Sequence, residues 1–469
     1  MSDSRFYALR IFIKKKWPLG TSLTLFLGIL AFAWLISYLG KADGIEDRTA
    51  NALFLLVMAG GLWISEAIPP FAVSILVIGF SIYFLDDSNW QVISEDWQAY
   101  LGTWSSPIIW ILLGGFFLAM GAQITQFDRK FSRVILTKFG SKPNRLLLGV
   151  MLTTGILSMF MSNTATTSMM IAIVLPIINK IDRNDPFVKS ILLGVATAAT
   201  LGGMGTVIGS PPNAIALGII QNSGYDFGFS SWMMIGFPLA IVLILLSWVF
   251  FSRYYRTELE ELTLGETIES GSYPNRNSSR NRLLVVLTFV ITIGLWITSS
   301  LHNIPVAVIS FIPIVTLSVG GVVYGEDLKL LPWDTLVLVA GGLTLGMVIR
   351  DSGLDSYLIT KVPVFQNVYV MIFTLGLLTT LLSNIMSNTA AASILIPIGV
   401  SLLPEDTLTI ATMIGLSAST ALFLPISTPP NAIAYSYGFL KQSDFRPIGL
   451  IQGLVGPLIV MLAVMILLG

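Results

Sequence analysis

Two short stretches place neutral hydrogen-bonding side chains in a row inside strongly apolar surroundings: Ser162-Asn163-Thr164 in MSNTATTSMM and Ser387-Asn388-Thr389 in MSNTAAASIL. A second pair lies downstream of each, IGSPPNAIA at 208–216 and ISTPPNAIA at 426–434. Hydroxyl and amide donors, together with helix N-termini, suit an anion. Side-chain oxygens and freed backbone carbonyls suit a hard cation such as Na⁺. The paired prolines remove backbone donors and push Ser210 and Thr428 away from helical geometry, so each long apolar segment is expected to break at its middle. In hydrocarbon, broken backbone survives only when it is buried in protein or lines a watery cavity. Plainer readings are open for each pair: a proline kink for the Pro-Pro motif, and ordinary hydrogen bonding between membrane helices for the Ser-Asn-Thr clusters. Recurrence of both, in the same order, argues for a shared site.

None of the four motifs contains Lys, Arg, Asp, Glu or His. A proton relay usually needs an intramembrane ionisable residue. An anionic ligand bound here must therefore be balanced by helix dipoles and bound cations, which favours coupling to Na⁺ over H⁺. Glu66 in WISEAIPP and Asp334 in LPWD fall near span ends, where interfacial roles are the rule, and His302 sits in the short loop LHNIP as a surface residue. The chain has no cysteine, which excludes disulfides, thiolate metal sites and cysteine nucleophiles. It has no HExxH and no GxSxG, which argues strongly against an intramembrane hydrolase. A net charge of zero suggests no nucleic-acid partner.

The elements that hold these motifs are apolar. The chain is 54% hydrophobic and 11% charged, with a mean hydropathy of +0.81, which describes a polytopic protein of the lipid bilayer. Segments near the ~20-residue spanning length recur at 18–39, 49–66, 71–85, 107–127, 190–220, 231–252, 283–300, 305–324, 333–349, 409–439 and 447–468, giving about eleven transmembrane helices. The Ser-Asn-Thr segments, 145–179 and 368–403, are read as re-entrant hairpins. With that reading all of the 26 Lys and Arg except Lys41, Arg48, Arg350 and Lys361 fall on the cytoplasmic side, as the positive-inside bias requires. No cleaved signal peptide precedes the first span. Lys14, Lys15 and Lys16 then hold the N-terminus in the cytoplasm, and the acidic loop at 86–97 is external. A polar linker at 253–282 separates 49–252 from 283–469, with 1–48 supplying an N-terminal cytoplasmic segment and the first helix.

Three signatures recur across that linker in one order: Gly114 against Gly341 in the Gly-Gly pairs, Ser162 against Ser387, and Ser210 against Thr428, at offsets of 227, 225 and 218 residues. Such spacing indicates an internal duplication. With the topology above, the first hairpin enters from the cytoplasm and the second from outside, so the repeats are inverted. Inverted repeats are a hallmark of secondary transporters, whose ligands bind near the midplane where the repeats meet. A channel fits this arrangement less well than alternating access does.

With both Ser-Asn-Thr and both Pro-Pro-Asn motifs, the Gly-Gly pairs and EAIP at 66–69, nearly the whole chain resembles the divalent anion/Na⁺ symporter family of dicarboxylate transporters. The resemblance implies an all-α, elevator-type homodimer, with a scaffold domain, a transport domain, two hairpins and two unwound helices. It implies a first Na⁺ site at Ser158, Ser162, Asn163 and the backbone of Gly209, and a second at Ser383, Ser387, Asn388 and the backbone of Ser427. The substrate carboxylates are then expected at Asn163, Thr164, Asn388 and Thr389, with Ser210, Pro211, Thr428 and Pro429 closing the site. The implied activity is Na⁺ symport of succinate, malate or fumarate across the cell membrane. The family also contains Na⁺-independent dicarboxylate exchangers, which remain the alternative. No organic cofactor is implied.

Overall fold

The computed structural model describes residues 19–85, 97–262, 275–361 and 367–468. Lys14 to Lys16, most of the acidic loop at 86–97 and the middle of the linker lie outside the described residues. All regular structure among the described residues is helical, as a bilayer demands of a chain that must satisfy its backbone hydrogen bonds within each segment.

The first part of the chain runs through α1 (Leu19–Ala42), α2 (Asp47–Ser65), α3 (Pro70–Leu85), α4 (Pro107–Ile124), the amphipathic α5 (Phe127–Phe139), a hairpin of α6 (Pro143–Ser158) and α7 (Asn163–Ile178), a broken helix of α8 (Pro186–Gly202) and α9 (Pro211–Asn222), and α10 (Phe229–Tyr254). The second part repeats this order: α11 (Ser279–Ile297), α12 (Phe311–Val319), α13 (Trp333–Asp351), α14 (Leu354–Lys361), a hairpin of α15 (Val368–Ser383) and α16 (Asn388–Leu402), a broken helix of α17 (Thr407–Ser417) and α18 (Pro429–Ser436), and α19 (Arg446–Leu468).

Eight of the described helices are long and apolar enough to cross a membrane, where about eleven were expected. The expected span at 71–85 is α3, with 16 residues. That at 305–324 is two short helices, Val306–Ile309 and α12, joined at Ser310. That at 409–439 is the broken pair α17 and α18. Glu66 caps the C-terminus of α2 in a left-handed conformation, φ 49°. Asp334 lies in the first turn of α13. His302 is half-buried, its ring against the Leu295 carbonyl at 3.0 Å.

The two parts interlock reciprocally. α8 packs on α18 and α17 on α9, so the broken helices cross. The second arm of each hairpin, α7 or α16, packs on the helix that follows the Pro-Pro of the other part, α18 or α9. α3 packs on α13 and α12 on α4 in the same crossed manner. The Gly-Gly pairs stand at these contacts because helices meet closely there only without side chains. A Cβ on Gly114 would lie 2.8 Å from the Ser310 carbonyl, and one on Gly341 would lie 2.3 Å from the Ser74 side chain. Outside the bundle, Arg276 ties the end of the linker to the loop after α12. Its guanidinium donates to Asp327 at 2.5 Å and to the Val322 carbonyl at 2.9 Å. Burial pushes the Asp327 carboxyl up, but the Arg276 hydrogen bond prevails and holds it below the usual range.

Candidate functional site

Both Ser-Asn-Thr motifs sit at hairpin turns in the same register. Ser162 and Ser387 are N-caps, and Asn163 and Asn388 are the first residues of α7 and α16. A Ser at this position is favoured because its hydroxyl accepts a free amide of the first turn, and Ser387 does so from Ala390 N at 3.2 Å. Ser162 makes no such side-chain bond. The first-turn amides of each arm point at the hairpin tip, where a carboxylate is favoured by donors and dipole together. Ser162 and Thr164 are exposed, Asn163, Ser387 and Asn388 half-buried, and Thr389 is buried.

The Pro-Pro motifs do the reverse. Ser210 (φ −148°, ψ 135°) and Thr428 (φ −139°, ψ 150°) are extended N-caps, with the prolines opening α9 and α18. Prolines have no amide to offer, so these segments present carbonyls. Ser210 and Thr428 are buried, Pro211 half-buried and Pro429 exposed. Thr428 Oγ1 accepts from Asn431 N at 3.3 Å and from Thr200 Oγ1 at 3.5 Å, the latter joining the two broken helices.

The first half of the site closes around Asn163. Ser158 Oγ lies 2.6 Å from the Asn163 amide and donates to the Ala199 carbonyl at 2.7 Å. The same amide position is 3.2 Å from the Ala199 and Gly209 carbonyls. With Nδ2 turned inward Asn163 donates to all three oxygens; with Oδ1 turned inward, four neutral oxygens meet at one point. The protein groups alone favour the first sense, because with Oδ1 inward the amide oxygen faces only acceptors and its nitrogen only donors; the second sense is complete only with a cation among the oxygens. The second sense is a donor set for a hard cation such as Na⁺. Gly203 is required beside it, since a Cβ there would lie 2.8 Å from both amide atoms.

The unwound stretch 203–210 is held from its sides. Asn213 Nδ2 donates to the Gly203 and Thr206 carbonyls at 2.9 and 2.7 Å, Trp232 Nε1 donates to the Met204 carbonyl at 3.1 Å, and the Thr206 hydroxyl donates to the Met159 carbonyl of the hairpin turn. This leaves the Gly209 carbonyl facing Asn163. In the second half Asn431 Nδ2 donates to the Leu422 and Leu424 carbonyls at 3.3 and 3.0 Å. Ser383 Oγ and Asn388 Oδ1, which correspond in sequence to the Ser158 and Asn163 side chains, are buried atoms without a hydrogen-bond partner. Such atoms are costly in a protein interior unless a ligand or ion engages them. Ser427 donates to Asn384 Oδ1 at 2.8 Å, which also accepts from Phe423 N at 2.9 Å.

Ser158, Asn163 and Gly209, which the resemblance implied for a first site, lie together, whereas Ser162 is exposed at the turn; Ser427 meets the second hairpin through Asn384. Asn384, Asn213, Asn431, Thr206 and the Ala199 carbonyl were not anticipated. Asn384 had a visible signal: SNIMSNT carries a second Ser-Asn ahead of the motif, where the first part has SMFMSNT.

A sequence profile described as citrate transporter matches residues 60–414, a stretch that takes in both Ser-Asn-Thr motifs and both Gly-Gly pairs. The chain belongs to the citrate transporter family. As a member of that family it is a multi-pass membrane transporter and not an enzyme, and the resemblance to the divalent anion/Na⁺ symporters is borne out. The sodium-dependent dicarboxylate transporter SdcS of Staphylococcus aureus (strain USA300) is 30% identical over 96% of this chain and 92% of its own. SdcS of Staphylococcus saprophyticus is 29% identical over the same shares. An uncharacterized transporter of Haemophilus influenzae is 31% identical over 87% of this chain and 90% of its own. Among solved structures, MtrF of Neisseria gonorrhoeae superimposes with a TM-score of 0.55 at 13% identity, covering 85% of this chain and 94% of that one. The YdaH transporter of Alcanivorax borkumensis gives 0.51 at 15%, covering 86% and 98%. Both likenesses concern the fold of this citrate transporter family member alone.

Proposed function

We propose that the protein is a Na⁺-coupled symporter of C4-type dicarboxylates such as succinate, malate and fumarate. The observation that carries this reading is the convergence of Ser158, Asn163, Ala199 and Gly209 oxygens at a point with no ionisable side chain in any of the four motifs. The names of the SdcS relatives point the same way. In this reading Na⁺ is cargo, held by Ser158, Asn163 and the carbonyls in the first half and by Ser383, Ser387, Asn388 and Ser427 in the second. When the ion leaves, the Asn163 amide rotates and its Nδ2 takes over the same three oxygens. The dianion lies between Asn163-Thr164 and Asn388-Thr389, its charge balanced by the two helix N-termini and the bound cations.

We further propose an elevator movement, in which α6 to α10 and α15 to α19 travel as one unit against α1 to α4 and α11 to α13, in a homodimer. Gly115 and Gly342 support it by facing Ile208 and Ser393 across that boundary without side chains of their own. The N-terminus is cytoplasmic and the repeats inverted. Since the chain has no cysteine, single cysteines at Arg280 and Asn303, both exposed, test this. An impermeant reagent is expected to label position 303 in intact cells and to spare position 280; the opposite result overturns the inversion.

The function is tested by uptake of labelled succinate into proteoliposomes. Accumulation driven by an inward Na⁺ gradient is expected. Uptake that ignores Na⁺ and needs a dicarboxylate inside would instead establish the exchanger. Because no fixed positive side chain of the motifs receives the dianion, Na⁺ and substrate should bind cooperatively, with a coupling of roughly 5–150-fold in affinity. Succinate should therefore raise the unfolding temperature far more in NaCl than in choline chloride. Equal shifts in the two salts would rule out symport.

A further inference from the structure

An open cleft of about 510 Å³ lies where the C-terminal end of α10 meets the N-terminal end of α6, at the opposite end of α6 from Ser158. Asn144, Trp248, Val249, Ser252, Arg253, Arg256 and Thr257 line it, with the Thr257 hydroxyl donating to the Asp185 carboxylate at 3.0 Å and so occupying that oxygen. Arg253 and Arg256 are exposed, and among the described residues neither has a carboxylate partner; Glu258, Glu260 and Glu261 follow in the chain without reaching ion-pair distance. Ser252 Oγ is a buried atom with no hydrogen-bond partner. Trp248 Nε1 donates to the Asn144 carbonyl at 2.9 Å and so fixes the wall of the cleft to the base of the first hairpin. Lys142 and Arg145 are exposed on either side of Asn144.

The cleft therefore has two guanidinium groups without a carboxylate partner and a free hydroxyl, with Lys142 and Arg145 close to Asn144 in the chain, which together suit an oxyanion. Its lower wall is apolar. Trp248 and Val249 continue into Val242, Leu245 and Leu246, which are exposed along the same helix at 44%, 36% and 44% and face the lipid. A soluble anion would use only the upper part. A phosphodiester with acyl chains attached would use both.

We propose that this cleft binds the headgroup of an anionic phospholipid of the adjoining leaflet, with its phosphate between Arg253 and Arg256 and its chains along α10. α6 is the first arm of the hairpin that ends at Ser158, so the lipid braces the base of that hairpin against α10. This is independent of which substrate the protein carries.

The test is thermal unfolding of the purified protein in detergent with added phosphatidylglycerol, phosphatidylcholine or inorganic phosphate. Phosphatidylglycerol is expected to stabilise the wild-type protein more than phosphatidylcholine does, and inorganic phosphate to leave it unmoved. The variant carrying Arg253→Gln and Arg256→Gln should lose the preference, a fall of roughly thirtyfold in relative affinity for two basic groups at a membrane surface, while the corresponding pair of Arg→Lys substitutions keeps most of it. Asn144→Cys, blocked with a bulky neutral reagent after purification, removes the preference in protein already folded and does not depend on the glutamine variant folding. Equal stabilisation by the two lipids overturns the proposal, as does a preference that survives blocking at position 144. A full response to inorganic phosphate assigns the cleft to a soluble anion instead.

Discussion

The two hairpins meet their broken helices in the same way and by opposite chemistry. In the first half, Gly155 of α6 touches Gly202 at the end of α8 so closely that a Cβ on Gly202 would lie 2.4 Å from the Gly155 carbonyl oxygen. The corresponding residues of the second half are Thr380 and Thr420, whose hydroxyls are 2.8 Å apart, Thr380 donating to Thr420 and Thr420 to the Ser417 carbonyl at 2.7 Å. At the hairpin turn the roles exchange. Thr206 of the unwound loop reaches the Met159 backbone in the first half, whereas Asn384 of the hairpin reaches the loop in the second, accepting from Phe423 N and Ser427 Oγ. The same hairpin-to-broken-helix contact is thus made once without side chains and once by bonding them. The first solution is sterically rigid and tolerates nothing larger than glycine; the second is a sum of hydrogen bonds and can lose one.

The largest effect that separates these solutions is expected from Gly202→Val. Backbone lies on the far side of the contact and cannot give way, so overpacking should cost about 3 kcal/mol or more. Protein recovered after membrane extraction should fall sharply, and pairing it with Gly155→Thr should not restore it. Normal yield and thermal stability would mean that α6 and α8 separate freely. Next come Asn163→Ala and Asn388→Ala, each expected to abolish succinate uptake in folded protein. Asn163→Ala should lower the unfolding temperature more, because its amide has partners whereas Asn388 Oδ1 has none. Wild-type uptake by both variants would return these residues to helix packing.

A smaller loss is expected for Asn384→Ala, which strands Phe423 N and Ser427 Oγ at about 1–3 kcal/mol for a buried unmet group. Denaturation in detergent measures it, and Na⁺ dependence of uptake should shift with it because Ser427 is displaced. The smallest effect belongs to Thr420→Val, at about 1 kcal/mol. A double-mutant cycle with Thr380→Val should give a coupling of at least ~0.5 kcal/mol for residues in contact. Strict additivity would show that the hydroxyl pair contributes nothing to the second half.

Most of this architecture was legible from apolar runs and four motifs. The helix breaks follow from Pro211 and Pro429, whose lack of an amide acts locally, and the reading of the Ser-Asn-Thr segments as hairpins rests on the distribution of Lys and Arg. The run at 305–324 was legible as apolar but not as interrupted, because hydropathy does not register where a backbone leaves the helix. The close contact of Gly155 with Gly202 was hidden for another reason: a glycine in an apolar segment carries no mark of what it touches. Thr380 and Thr420 resemble any other hydroxyls in membrane helices until the fold sets them face to face. The Ala199 carbonyl belongs to no motif, since backbone oxygens are the same in every residue.

The crossed packing also fixes an order of events during synthesis. α7 rests on α18 and α9 on α16 and α17, so when Asn222 has entered the membrane the partners of these helices have not been made. Until Ser436 emerges, α8 and α9 are without the second broken helix that packs on them, and the faces they turn to it lie beside lipid or unfinished protein. Long-range contacts of this kind are slow to form and leave the nascent chain open to misassembly. A ribosome-stalled chain ending before the second Pro-Pro should accordingly be degraded by membrane proteases far faster than one that extends past α18.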